Sequence, residues 1–184
     1  MRYNIIRKTD ISNGPGVRVS LFTQGCFHKC KNCFNPETWN MTGGKLFSQS
    51  NIDEIISLLD KDHIRGLSIL GGDPLIEYDK RYDLKNDYIL LELVKTIKKE
   101  LPNKDIWLWT GYVWEDFFND ESCLHKEVLD LIKLIDIIVD GKYIDELYDI
   151  KLQYRGSSNQ RVIDVQKSIN EKQIVEFISN DRIL

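Results

Sequence analysis

The sequence predicts an α/β fold built on a parallel sheet. Two observations carry the prediction. Short β-branched or apolar runs alternate with segments of helical period, and each run stops at glycine or polar punctuation. At 184 residues the chain reads as one domain spanning 1–184, shorter than the roughly 250 residues of a closed eight-fold barrel.

The elements follow in order. Val17 to Thr23 is a strand after the turn Asn13-Gly14-Pro15-Gly16. Residues 51–60 carry apolar side chains at 52, 55, 56, 58 and 59, a helical stripe. Gly66 to Leu70 forms the second strand, and Gly71-Gly72-Asp73-Pro74 is the turn that ends it. Asp87 to Leu101 is helical, with apolar positions 89, 90, 93, 94 and 97, and Pro102 closes it. Asp105 to Thr110 is the third strand, Leu124 to Leu134 a helix, and Ile135 to Val139 the fourth strand. The four strand ends, Gln24-Gly25-Cys26, Gly71-Gly72-Asp73, Thr110-Gly111 and Asp140-Gly141, all lie at carboxyl ends. Ligands of parallel sheets bind there, and glycine permits close approach of backbone.

The first of these ends opens into Cys26-Phe27-His28-Lys29-Cys30-Lys31-Asn32-Cys33. Three thiols in a C-x3-C-x2-C loop suit a 4Fe–4S cluster with one iron left open, whereas a closed structural site takes four ligands. A zinc knuckle with His28 or His63 as fourth ligand is the alternative, with His28 otherwise an exposed loop residue. Cys123 stands apart as a packing thiol. Three clustered cysteines with one distant do not form a disulfide framework, so a reducing cytoplasm is expected. Net charge is −4, which gives no basic footprint for nucleic acid. The pairs Arg7-Lys8 and Lys98-Lys99 read as solvated faces. No run approaches the roughly 20 apolar residues of a membrane span, and Met1-Arg2-Tyr3-Asn4 does not begin a signal peptide.

The strand followed by Cys26-x3-Cys30-x2-Cys33 resembles the signature of radical S-adenosylmethionine (SAM) enzymes. Gly71-Gly72-Asp73-Pro74 resembles their glycine-rich SAM-binding turn, with Asp73 one carbon shorter than the usual glutamate. Asn13-Gly14-Pro15-Gly16-Val17-Arg18 resembles the activases of glycyl radical enzymes. Trp107 to Tyr112, Val139-Asp140-Gly141-Lys142 and Arg155 to Arg161 are similar to the branch serving anaerobic ribonucleotide reductases.

The resemblance implies an incomplete (βα) TIM-type barrel of the radical SAM type, with its cluster at the carboxyl ends of parallel strands. It implies reductive cleavage of SAM to a 5′-deoxyadenosyl radical, which takes hydrogen from a glycine of the large reductase subunit. A flavodoxin or ferredoxin would supply the electron, and neither membrane nor nucleic acid would take part. Cys26, Cys30 and Cys33 are then the cluster ligands. The cofactor contacts expected are Asn32, Cys33, Phe34, Gly71, Gly72, Asp73 and Thr110. Asp73 either receives the SAM ammonium or caps its turn, and Phe34 either stacks or packs. Asp140 faces the site or caps a turn, and Arg155–Arg161 receives no residue-level role. Two competing functions remain: activation of another glycyl radical enzyme, such as pyruvate formate-lyase, and non-catalytic zinc binding.

Overall fold

In the computed structural model, residues 1–82 and 88–178 are described. The strands are β1 (Arg2–Asp10), β2 (Val17–Gln24), β3 (Lys45–Leu46), β4 (Ile64–Gly71), β5 (Asp105–Trp109), β6 (Ile137–Asp140) and β7 (Arg161–Asp164). The helices are α1 (Gln49–Leu59), α2 (Ile89–Glu100), α3 (Val128–Ile132) and α4 (Val165–Glu171). The sheet runs β3-β1-β2-β4-β5-β6-β7 and is open. Its centre, β2-β4-β5-β6, is parallel; β1 and β3 on one side and β7 on the other pair antiparallel.

The four expected strands are thus the parallel centre, and the antiparallel flanks were not expected. Nothing in Arg2–Asp10 alternates, because this strand lies near an edge and is largely exposed along one face. Strand β7 hides inside a polar motif. The helix expected over 124–134 forms only from Val128. Residues before it pair elsewhere instead: Lys80 N–H donates to Cys123 O (2.8 Å) and His125 N–H to Tyr78 O (2.7 Å). Strand β6 begins at Ile137 rather than Ile135, since the Asp136 carboxylate turns back to accept Ile106 N–H at 2.7 Å. It also meets Lys98 Nζ at 2.6 Å, so one of the two basic-pair lysines is engaged at the end of α2. The expected start of α2, at Asp87, lies outside the described residues.

Alternation along the strands builds two layers. Val19, Leu21, Leu67, Ile69, Ile106, Leu108, Ile138 and Ile163 face the helices and form the main core with Ile52, Ile55, Leu90, Val94 and Leu131. The opposite face carries a second cluster of Trp107, Ile137, Val139 and Val162, joined by Trp109, Tyr154 and Phe177. Arg18 shares that face, fully buried. Its guanidinium donates to Ser68 Oγ (2.7 Å) and Leu67 O (2.9 Å), pairs with Asp105 Oδ1 (2.6 Å) and lies 5.5 Å over Trp107. Burial pulls its pKa down, and Asp105 opposes that pull. The turn through Asn13 and Gly14 covers this cation, with Asn13 O accepting Ser68 Oγ–H at 2.5 Å. The loop between β1 and β2 therefore closes the lower end of the open face.

Candidate iron–sulfur site

Above that closure lies a cavity of about 640 Å³. Cys26, Cys30, Cys33, Phe34, Gly71, Gly72, Asp73 and Thr110 all line it, as do His28, Arg7 and Trp109. Four strand ends thus converge on one space, as the expected carboxyl-end placement requires.

The cysteine loop is fixed from below. Gly25 N–H donates to Thr38 O (2.7 Å), and Gln24 Nε2 donates to Asn40 O (2.9 Å) and Glu37 O (3.1 Å). The Gly71-Gly72 turn packs backbone to backbone against the same segment. Gly72 N–H donates to Thr23 O (3.0 Å) and Asp73 N–H to Gly25 O (2.8 Å). A Cβ on Gly72 would fall on the Gly25 carbonyl. One reason for these glycines is therefore to let the cysteine loop and the turn touch.

Within the loop, Lys29 (φ +47°) and Asn32 (φ +54°) adopt left-handed backbone. Such turns aim successive N–H groups at one point. The backbone N–H groups of His28 and Lys29 pull the Cys26 thiol down against its burial, and that of Tyr143 does so for Cys30; that of Asn35 lies 3.4 Å from Cys33 Sγ. Burial, with Asp73 nearby, pushes the Cys26 thiol up to about 12. Burial and Cys33 push Cys30 up as well. Free thiols here hold their protons and would release them on binding metal.

Among the described residues, no three His, Cys, Asp or Glu side chains are arranged around one ion. A zinc ion needs every sulfur about 2.3 Å from a single point, whereas each cysteine of a cluster binds a different iron. His63 is exposed just before β4, at the far end of that strand. His28 is not the exposed residue expected, because its side chain is 6% accessible and its Nε2 lies 2.8 Å from Asp73 Oδ2. The three sulfurs, all lining the cavity and with the Asn35 N–H on Cys33, fit a 4Fe–4S cluster.

Asp73 is 1% exposed. Besides His28 it accepts Thr110 Oγ1–H (2.9 Å), Gly111 N–H (2.9 Å) and Leu75 N–H (2.9 Å). Of its two expected roles, the structure displays the cap. Asn32 is exposed, its Nδ2 donates to Asp145 Oδ2 at 2.8 Å, and it is absent from the cavity wall. Phe34, 64% exposed, packs on Tyr143 (5.1 Å) and Tyr148 (6.1 Å) at the rim.

Asp140 is fully buried and caps a turn by accepting Trp114 N–H at 2.8 Å. Arg161 bridges it to Glu115, with Nε 3.0 Å from Asp140 Oδ1 and Nη1 2.9 Å from Glu115 Oε1. Gln160 laces the far wall together. Its Oε1 accepts Gly156 N–H (3.0 Å) and its Nε2 donates to Gly141 O (3.0 Å). Sequence reasoning missed Tyr143, whose backbone N–H pulls the Cys30 thiol down against its burial and which no side-chain pattern marks.

A three-thiol loop at the carboxyl edge of a parallel sheet defines an iron–sulfur protein, and the chain matches the family model described as a 4Fe-4S single cluster domain over residues 12–163. Three relatives carry the name anaerobic ribonucleoside-triphosphate reductase-activating protein. That of Enterobacteria phage T4 is 44% identical over 162 residues, covering 88% of this chain and 93% of the relative. Those of Vibrio cholerae serotype O1 (41% over 162 residues, 87% and 96%) and Escherichia coli strain K12 (40% over 164 residues, 88% and 97%) are similar. The chain belongs to the family of anaerobic ribonucleoside-triphosphate reductase-activating proteins.

Proposed function

We propose that this chain activates an anaerobic ribonucleoside-triphosphate reductase by generating a glycyl radical on its large subunit. The observation that carries the reading is the cavity in which Cys26, Cys30 and Cys33 meet the ends of β4 and β5. The names of the relatives support the target. Cys26, Cys30 and Cys33 hold a 4Fe–4S cluster. When bound, the cluster and SAM supply a 5′-deoxyadenosyl radical that abstracts hydrogen from the partner's glycine.

The remaining work belongs to the chain's own residues. Gly71 and Gly72 hold the turn beside the cysteine loop and leave that wall of the cofactor space free of side chains. Thr110 and Phe34 border the same space. Asn32 shapes the loop through its side-chain bond to Asp145 and leaves its backbone, with that of Cys33 and Phe34, for contact with the cofactor, while Asp73 orders the turn. Trp109 and the Gln160-laced wall exclude water. The sheet is an incomplete (βα) TIM-type barrel of the radical SAM type, within one domain over 1–184. Its open side admits a protein loop. A flavodoxin or ferredoxin donates the electron in a reducing cytoplasm, and neither membrane nor nucleic acid is engaged. No helix among the described residues is long and apolar enough to cross a membrane.

The test is anaerobic reconstitution with iron and sulfide, then incubation with reductant, SAM and the cognate reductase. A glycyl doublet by electron paramagnetic resonance (EPR) and release of 5′-deoxyadenosine are expected. A doublet only on pyruvate formate-lyase would redirect the target. Tight zinc with no SAM cleavage would overturn the reading.

A further inference from the structure

His28 stands where the cysteine loop meets the ends of two strands, and its ring is held on three sides. Nε2 lies 2.8 Å from Asp73 Oδ2. The ring sits edge-on to Tyr112, with centroids 4.7 Å apart and planes at 70°. It also fills the space that a side chain at position 111 would need. Asp73 accepts from Thr110 and Gly111 on β5's side and from Leu75 beyond its own turn. On the other flank, His28 and Lys29 follow Cys26 in the loop, Lys29 with left-handed backbone (φ +47°), and their backbone N–H groups pull the Cys26 thiol down against its burial.

We infer that His28 is a positioning residue: gripped by Asp73 and seated on Gly111, it locks the donors that set the Cys26 sulfur's environment. The inference rests on the reading of the loop as a cluster site. Hydrogen bonds to ligating sulfurs tune a cluster's potential, and outer partners fix its ligands. Loss of the imidazole frees the loop to rotate those N–H groups away. It also leaves the Asp73 charge near Cys26 without its nearest donor. Both changes disfavour the extra electron of the reduced cluster.

The test compares reconstituted wild type, His28→Ala, His28→Gln and Gly111→Ala. The readouts are iron content, the EPR spectrum of the reduced cluster with and without SAM, and the midpoint potential. His28→Ala is expected to shift the spectrum, lower the potential and weaken the SAM response by about 10-fold, the low end of the range for outer partners. His28→Gln, whose amide still donates to Asp73, should recover most of the wild-type spectrum. Gly111→Ala, which displaces the ring, should resemble His28→Ala. If His28→Ala does not fold, the other two variants decide. Wild-type spectra and potentials across the series overturn the lock. A wild-type protein that assembles no cluster would instead refute the cluster reading itself.

Discussion

Replacing Gly71 by alanine tests whether backbone contact, rather than cofactor alone, demands glycine in the turn. Gly71 has φ +111°, outside the range open to alanine, and its Cβ would lie 2.6 Å from Thr23 N and 2.7 Å from Thr23 O. Thr23 is its ladder partner on β2, so neither strand yields without breaking pairing. Backbone strain costs about 1–3 kcal/mol and overpacking about 1–3 kcal/mol, together about 2–6 kcal/mol. At about 2–4 °C per kcal/mol for a chain of this size, the melting temperature of the metal-free protein should fall by about 4–24 °C. Gly141→Ala is the control. Its φ is +92°, yet the nearest atom to a Cβ is 3.7 Å away, so only the strain of about 1–3 kcal/mol applies. Thermal unfolding followed anaerobically by circular dichroism measures both. Equal losses in the two variants, or a Gly71→Ala protein melting with wild type, would refute the argument.

Three further outcomes are expected. Arg161→Ala leaves the buried Asp140 carboxylate with its backbone donor but no cation. It should cost about 2–4 kcal/mol in denaturant titration, below the full cost of breaking a buried pair because Arg161 is partly exposed. Arg161→Lys should restore only part, since one ammonium cannot span Asp140 and Glu115 bidentately. Asp79→Asn tests a pH dependence. Burial pushes the Asp79 carboxyl up, but hydrogen bonds from Arg81 and Tyr112 outweigh it and hold the group below its usual value. A depressed carboxylate stabilises the fold above its unfolded pKa of about 3.9 and loses that contribution as pH falls through the lower folded value. The variant should therefore be less stable than wild type by about 1–2 kcal/mol above about pH 5, and the gap should close in acid. A gap that stays constant down to pH 3 would refute the assignment. Finally, Cys33→Ser should lower iron and sulfide per chain after reconstitution and abolish SAM cleavage; retention of full cluster content would remove Cys33 from the ligand set.

The parallel centre of the sheet was legible because each of its strands is buried on both faces and punctuated at its end. Val17 to Thr23 and Gly66 to Leu70, read as strands from their mostly apolar and small residues, fall within β2 and β4. The antiparallel flanks were not legible. Exposed Arg2–Asp10 is ordered by its ladder to β2 rather than by its own pattern. The Leu124 segment has helical periodicity but is claimed by pairing with residues near Asp79, a tertiary preference that overrides local propensity.

The site divides in the same way. The sequence by itself determined the three cysteines, since their spacing is chemistry that needs no fold to be recognised, and the glycines that end the strands. Only the tertiary structure decided what those residues touch. His28 joined Asp73 across 45 positions of sequence, the Tyr143 backbone came to pull the Cys30 thiol down against its burial, and the Asn32 side chain was drawn to Asp145. Thiol spacing is a local covalent property of the chain. Hydrogen-bond partnership in a buried site depends on which strand ends the sheet brings together, and that is settled only when the whole sheet pairs.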